Sequence, residues 1–287
     1  MYAFIVNPVA GSGRAQKAVP MIEAEMRERG LNYKVYMTNH QGHATELSRQ
    51  AAQEGCGCVI AVGGDGTAYE VACGLMDSGV PMGIIPVGTG NDFIKTVGIP
   101  KDATQALDFI LTHPARPVDV GQLNDRLFLN VSGTGFDVQV LECMEDAKKV
   151  FHGIWPYLIG IIRGIFRYRP VHVAWTVDGE TREQDVLLCA VANGRFIGGG
   201  IPICPVAEPD DGLLDLIVVE NKPRRLIPFY LPGLLMGKVL TFPFASHQRC
   251  RSVTMKSPGM HLNIDGEVQA MDEVMFSVMP GRLLLHW

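Results

Sequence analysis

The 287-residue sequence lacks several features, and each absence removes a class of function. There is no basic excess: 25 Lys and Arg stand against 30 Asp and Glu, for a formal charge of −5. Proteins that hold nucleic acid by its phosphates carry the opposite balance, so nucleic acid is excluded as a general partner. No Cys-x-x-Cys occurs, and the nearest two of the seven cysteines are Cys56 and Cys58. A scattered, odd set of thiols fits a reduced cytoplasmic chain without structural zinc, each cysteine acting as a small buried apolar residue. No histidine spacing suggests zinc either, and His43 and His261 read as structural. No apolar run reaches the ~20 residues needed to cross a bilayer. The longest, 154–162 and 226–237, are ended by Arg163 and Lys238. The opening Met1-Tyr2-Ala3-Phe4-Ile5-Val6-Asn7 is apolar but short. It has no basic leader and no small-residue cleavage site, so a strand is expected there.

Two common nucleotide signatures are also missing. No G-x-x-x-x-G-K-[ST] run exists, and Gly11-Ser12-Gly13-Arg14-Ala15-Gln16 lacks the third glycine of a dinucleotide fingerprint. Where such a fingerprint needs an acid for the ribose, the chain has the neutral Thr38-Asn39.

What is present is a regular alternation. Strand-like runs at 2–7, 33–37, 58–62 and 82–85 alternate with helix-like stretches at 14–29, 43–54 and 67–77. That order predicts a Rossmann-like parallel sheet covered on both faces. After about Arg116 the rhythm changes to successive strand-like runs at 117–123, 127–132, 171–177, 186–192, 213–219, 252–255 and 274–278. A helical insertion is expected near 137–166. The expected organisation is an α/β nucleotide-binding domain over 1–120 and a β-sandwich over 121–287, with a cleft between them. The last residues either close the second domain or return to the first.

Ligands of parallel sheets bind at the carboxyl ends of the strands, and this is where the glycines cluster. Val62-Gly63-Gly64-Asp65-Gly66-Thr67 turns a buried strand into a helix through three glycines. Without Cβ atoms the backbone N–H groups can close on a bulky anion, beside the positive end of the following helix. Asp65 would reach metal-bound phosphate oxygens; a plain turn with Asp65 as helix cap is the alternative. A Cβ at Gly64 is expected to obstruct phosphate while leaving the fold intact. Asn7-Pro8-Val9-Ala10-Gly11-Ser12-Gly13 and Gly88-Thr89-Gly90-Asn91-Asp92-Phe93 repeat the strand-to-helix turn. In the second half, Asp265-Gly266-Glu267 reads either as a hairpin turn or as a pair of catalytic acids. Glu208-Pro209-Asp210-Asp211-Gly212-Leu213 reads as a solvated acidic turn or as a set of oxygen ligands.

These motifs, in this order, resemble the soluble bacterial diacylglycerol and lipid kinases. The resemblance rests on Asn-Pro-x-x-Gly at 7–11, Thr38 with Gly42-His43-Ala44, Gly63 to Thr67 with Glu70, Gly88 to Phe93, Asp210 to Asp215, and Asp265-Gly266-Glu267. It implies an ATP-dependent kinase with a lipid alcohol as acceptor, diacylglycerol or a relative. ATP would be held by Asn7, Pro8, Gly11, Thr38, Gly63, Gly64, Asp65, Gly66, Thr67, Thr89, Asn91 and Asp92. It places the catalytic acid in Asp265-Gly266-Glu267, with Glu267 favoured as base, Asp265 the other candidate and Asp65 assisting at the phosphates. It also implies a structural Mg²⁺ on Glu208, Asp211 and the Leu213 carbonyl. Tyr69 departs from the asparagine usual in the family. The alternatives are a kinase for a soluble substrate such as NAD, and a nucleotide-binding regulatory protein without turnover.

A lipid kinase has to meet the bilayer. Residues 151–257 carry twelve Lys and Arg against nine Asp and Glu. Lys222, Arg224 and Arg225 precede Leu226, Ile227, Phe229 and Tyr230, and Arg163, Arg167 and Arg169 flank Ile161, Ile162, Ile165 and Phe166. Basic groups beside apolar ones suit peripheral contact with an anionic membrane surface; core helices with charged ends are the other reading. A homodimer is left open.

Overall fold

The structure, a computed structural model, describes residues 1–148 and 155–287. Part of the expected helical insertion and the start of the apolar run at 154 lie outside the described residues. Two compact units are formed. The first comprises Met1–Val120, Pro209–Asp211 and Met279–Trp287; the second comprises Gly121–Glu208 and Gly212–Val278.

In the first unit the order is β1 (Tyr2–Val6), α1 (Ala10–Glu28), β2 (Tyr33–Met37), α2 (His43–Gln53), β3 (Cys58–Gly63), α3 (Asp65–Leu75) and β4 (Met82–Pro86). α4 (Asp92–Val97) and α5 (Ala103–Thr112) follow, two helices beyond the three expected, and then β5 (Ala115–Leu123), which continues into the second unit. β1 pairs in parallel with β2 and β3, and β3 with β4. Every residue of β3 and β4 is buried, which is why both read as unbroken apolar runs. α2 and α3 touch almost backbone to backbone: a Cβ on Gly74 would lie 1.9 Å from Ser48 Oγ. The last residues return to this unit. Leu285 pairs in parallel with Met82, Gly281 N–H donates to Asp119 at 2.7 Å, and Arg282 pairs with Asp77. Arg116 Nε donates to the Trp287 carbonyl at 3.0 Å while its guanidinium lies over the indole ring.

The second unit is mainly antiparallel. It contains β6 (Arg126–Phe128), β7 (Val131–Gly135), α6 (Phe136–Lys148), α7 (Trp155–Arg167), β8 (Val171–Val177) and β9 (Glu180–Ala192). β10 (Phe196–Ile197), β11 (Ile201–Pro202), β12 (Leu214–Glu220), α8 (Ile227–Leu235), β13 (Ala245–Cys250), β14 (Ser252–Ile264) and β15 (Glu267–His286) complete it, β15 running on into the first unit. β9 from Val186 onward and β12 are buried on both faces. Cys189, Val191, Leu216 and Val218 enter one apolar cluster, while Leu188, Ala190, Ile217 and Val219 enter another. The second cluster is covered by Tyr230 and Leu234 of α8, and a third joins Phe136, Val140, Ile161 and Ile227 of the helices.

Candidate active site

In the first unit the three glycine turns lean on one another. Asn7 N–H donates to the Val62 carbonyl at 3.1 Å, and Asn7 Nδ2 to Thr67 Oγ1 at 3.3 Å, tying the turn after β1 to the turn after β3. Val87 and Gly88 N–H groups both donate to the Gly63 carbonyl, at 2.9 and 3.2 Å, tying in the turn after β4. The contacts are so close that side chains are excluded. A Cβ on Gly11 would meet the Val87 carbonyl at 1.8 Å, and one on Gly88 would meet Gly64 Cα at 2.4 Å. Gly11, Ser12 and Gly13 all have left-handed backbone, so regular helix begins at Arg14 as the sequence suggests. A left-handed serine costs about 1–2 kcal/mol, the sort of strain found where a loop is shaped for a ligand.

Arg14 was not singled out by the sequence. Its Nε donates to the Gly11 carbonyl and its Nη2 to the Gly88 carbonyl, both at 3.0 Å, which staples two of the turns. Glu70 is explained here as well: its carboxylate accepts the N–H groups of Gly42 and Ala44 at 2.9 and 3.1 Å, fixing the start of α2. Thr38 sits at the same sheet edge, its N–H donating to the Val6 carbonyl at 2.9 Å. Asn91 adopts a left-handed conformation and donates to the Gly88 carbonyl at 3.0 Å. Its Oδ1 is buried without a hydrogen-bond partner among the described residues.

The expectation for Gly64 needs correction. Its Cβ would lie 3.2 Å from Gly88 Cα, so Gly64→Ala would push the turns apart as well as obstruct an anion. Gly66 is different: it is exposed, and a Cβ there meets nothing within 4 Å.

Asp65 lies at the centre of the constellation. Its Oδ1 accepts Phe93 N–H at 3.2 Å, and the N–H groups of Asn91 and Asp92 also point at it. Burial, and then the neighbouring Asp92 carboxylate, raise its pKa above the ordinary 3.8 despite these donors. Folding therefore favours the protonated acid. The resulting stability is full below about pH 3.8 and is lost as pH rises through the higher folded pKa. Asp65→Asn should remove that loss: the variant should melt with the parent in acid and at or above it at neutral pH. A variant that melts lower at neutral pH would show that the charge of Asp65 is stabilising in the folded chain.

In the second unit Asp265-Gly266 forms the hairpin turn between β14 and β15, Ile264 facing Glu267, with positive φ at both turn residues. The turn also does something the sequence did not reveal. The Asp265 carboxylate accepts three backbone N–H groups, from Leu129 at 2.6 Å, Asn130 at 3.0 Å and Val131 at 3.1 Å. Glu267 instead projects outward, 53% exposed, where Arg126 Nη2 donates to it at 3.0 Å. Behind the turn, Asn263 accepts Gly266 N–H at 2.8 Å and donates to Asp137 at 3.1 Å. Asp137 is half-buried, and loss of solvent around its carboxylate raises its pKa.

The residues expected to hold Mg²⁺ divide between the units: Asp211 belongs to the first, Glu208 and Leu213 to the second. The donor set is all oxygen, which suits a hard cation. The apolar–basic segments are partly buried and partly exposed. Ile161 and Ile227 are buried, but Ile162, Phe166, Phe229 and Met236 are 56–78% exposed. An open cavity of about 560 Å³ is lined by Phe166, Arg167, Tyr168, Arg169 and Arg224. No helix among the described residues is long and apolar enough to cross a membrane.

Comparison with known proteins places the chain in a family. Residues 1–123 match the diacylglycerol kinase catalytic domain, and residues 130–286 match the YegS C-terminal NAD kinase beta sandwich-like domain. A diacylglycerol kinase of Mycobacterium tuberculosis is 29% identical over 97% of this chain and 92% of its own. A Pseudomonas aeruginosa protein, named a probable YegS-like lipid kinase, is 34% identical over 96% and 90%. A crystal structure of a Bacillus anthracis diacylglycerol kinase covers 100% of this chain and 96% of its own, with TM-score 0.75 and 25% identity. An N-terminal α/β part followed by a β-rich part is thus the common architecture. On these matches and the turns that carry them, the chain belongs to the family of diacylglycerol kinases and YegS-like lipid kinases.

Proposed function

We propose that the chain is an ATP-dependent lipid kinase that transfers the γ-phosphate to the hydroxyl of a diacylglycerol-like lipid. The observation that carries this reading is the stack of three glycine turns at the carboxyl edge of one parallel sheet, too close for side chains. Such a surface offers backbone N–H groups to phosphate and leaves room for it over Gly66. Asn7, Pro8, Gly11, Thr38, Gly63, Gly64, Gly66, Thr67, Thr89 and Asn91 would line the nucleotide, with Asp65 and Asp92 facing its metal-bound oxygens. Mg²⁺, when bound, supplies positive charge to the transferred group. Glu267 accepts the proton of the lipid hydroxyl as the new O–P bond forms. Asp265, already committed to three N–H donors, holds the turn that presents Glu267. The exposed Phe166 beside Arg167, Arg169 and Arg224, together with the exposed Phe229, supports a cytoplasmic protein that meets an anionic bilayer from the water side.

The direct test is transfer of labelled phosphate from ATP to a panel of lipids in mixed micelles, with NAD as the soluble comparison. A labelled lipid monoester is expected; labelled NAD with no labelled lipid would replace the proposal by the soluble-substrate reading. Two variants probe the parts. Gly66→Ala should melt with the parent and weaken ATP binding by about tenfold or more, ~1.4 kcal/mol, in calorimetry. Unchanged affinity would remove this turn from the nucleotide site. If Glu208, Asp211 and the Leu213 carbonyl hold Mg²⁺, the parent should melt higher with added Mg²⁺, and Asp211→Ala should not respond. Equal responses would return the segment to a solvated turn.

A further inference from the structure

We infer that Cys204, Asp215 and His247 form a binding site for a borderline-soft divalent cation, zinc foremost. The three come from separate segments of the second unit: the loop after β11, the start of β12, and β13. Their ligand atoms all lie within 4.8 Å of one another. Bonds of about 2.0–2.3 Å around a tetrahedral ion put donors roughly 3–4 Å apart, so small side-chain adjustments suffice.

Several observations set this group apart from a chance meeting of polar side chains. Asp215 is an acid on a strand face that otherwise carries Ile217 and Val219 into an apolar cluster, and it is only 2% exposed. His247 lies opposite Ile217 across the β12–β13 ladder, which brings its Nε2 to 2.5 Å from Asp215 Oδ1. Arg249, opposite Asp215, braces the same carboxylate from 3.7 Å. Cys204 is fully buried beneath them, and the backbone N–H groups of Val206 and Ala207 point at its sulfur. Two N–H groups aimed at one sulfur are an arrangement that supports a thiolate. Without a cation, burial pushes the thiol up to about 12, so the sulfur is protonated at neutral pH. Binding would form the sulfur–metal bond and release that proton to solvent. Sulfur, imidazole and carboxylate together select zinc over magnesium or calcium. His247, 28% exposed, borders the path from solvent, and water completes the coordination. The ligands stand 32 residues apart between Asp215 and His247, so no spacing in the sequence announces them.

The test of this site does not use activity. The full chain, stripped with a chelator, is titrated with Co²⁺ as a spectroscopic probe and then with Zn²⁺ in competition. A thiolate-to-Co²⁺ charge-transfer absorption should saturate at about one equivalent and disappear as Zn²⁺ displaces it; Zn²⁺ should also raise Tm. Cys204→Ser should abolish the absorption, and His247→Gln, which keeps the thiol, should weaken Zn²⁺ by roughly 100-fold. Cys250→Ser, at another buried thiol, and His40→Ala, in the exposed His40, His43 and Glu46 group, should leave the absorption intact. No charge-transfer absorption in the parent, its survival in Cys204→Ser, or its loss in His40→Ala would overturn the assignment.

Discussion

Glu267→Gln should bind ATP as the parent does and lose turnover by ~10²–10⁴, the usual cost of removing a general base. The substitution keeps size and hydrogen-bonding capacity but cannot take up a proton at neutral pH. Nucleotide affinity should hold because the glycine turns belong to residues 7–92 of the other unit. Stability should also hold: the Arg126 pair that is lost is half-exposed, and such pairs contribute about 0–1 kcal/mol. The Michaelis constant for lipid should move less than kcat, because the group acts chiefly in the transition state. Steady-state kinetics with the best lipid of the panel decide the matter. Near-parental turnover would pass the base role to Asp265 or Asp65.

Asp265→Ala should fail differently, through the fold. It strips a charged acceptor from three backbone N–H groups of buried residues, Leu129, Asn130 and Val131. A hydrogen bond to a charged group contributes about 1.5–3 kcal/mol, and three on one carboxylate are not additive, so a loss of ~3–5 kcal/mol is expected. In a chain of this size that lowers Tm by roughly 5–8 °C. Asp265→Asn, which keeps one acceptor oxygen, should recover part of the difference. The two neighbouring acids are thus separated by readout: melting for Asp265, turnover for Glu267. An Asp265→Ala variant that melts with the parent yet turns over no lipid would make Asp265 the base and leave Glu267 a surface residue.

How much of this could be read from the sequence depended on whether the signal was local. β1 to β4 were legible because strands buried on both faces appear as short apolar runs, and their ends were legible because the glycines stand there. α5 was not proposed, although Asp102 caps it through the N–H groups of Thr104 and Gln105; its ten residues lie in the transition between the two rhythms. β14 and β15 were read only as fragments. A bulge between Lys256 and Met260 breaks their register, and Glu273 and Asp272 interrupt the apolar alternation. The candidate site divides in the same way. Glycine turns and the Asp265-Gly266 hairpin carry their own pattern. The Arg14 staple spans 74 residues and the Asp265 clamp up to 136, so neither leaves any trace in a short window.

The return of Met279–Trp287 to the first unit bears on the order in which the protein is made. A chain emerging from the ribosome exposes β1 to α5 early, with Met82 at a strand edge whose partner, Leu285, is synthesised about two hundred residues later. The first unit must therefore stay unfinished while the whole of the second is translated. Domains that fold during synthesis usually complete in chain order; here the part made first is completed last, because the strand edge at Met82 waits for Leu285.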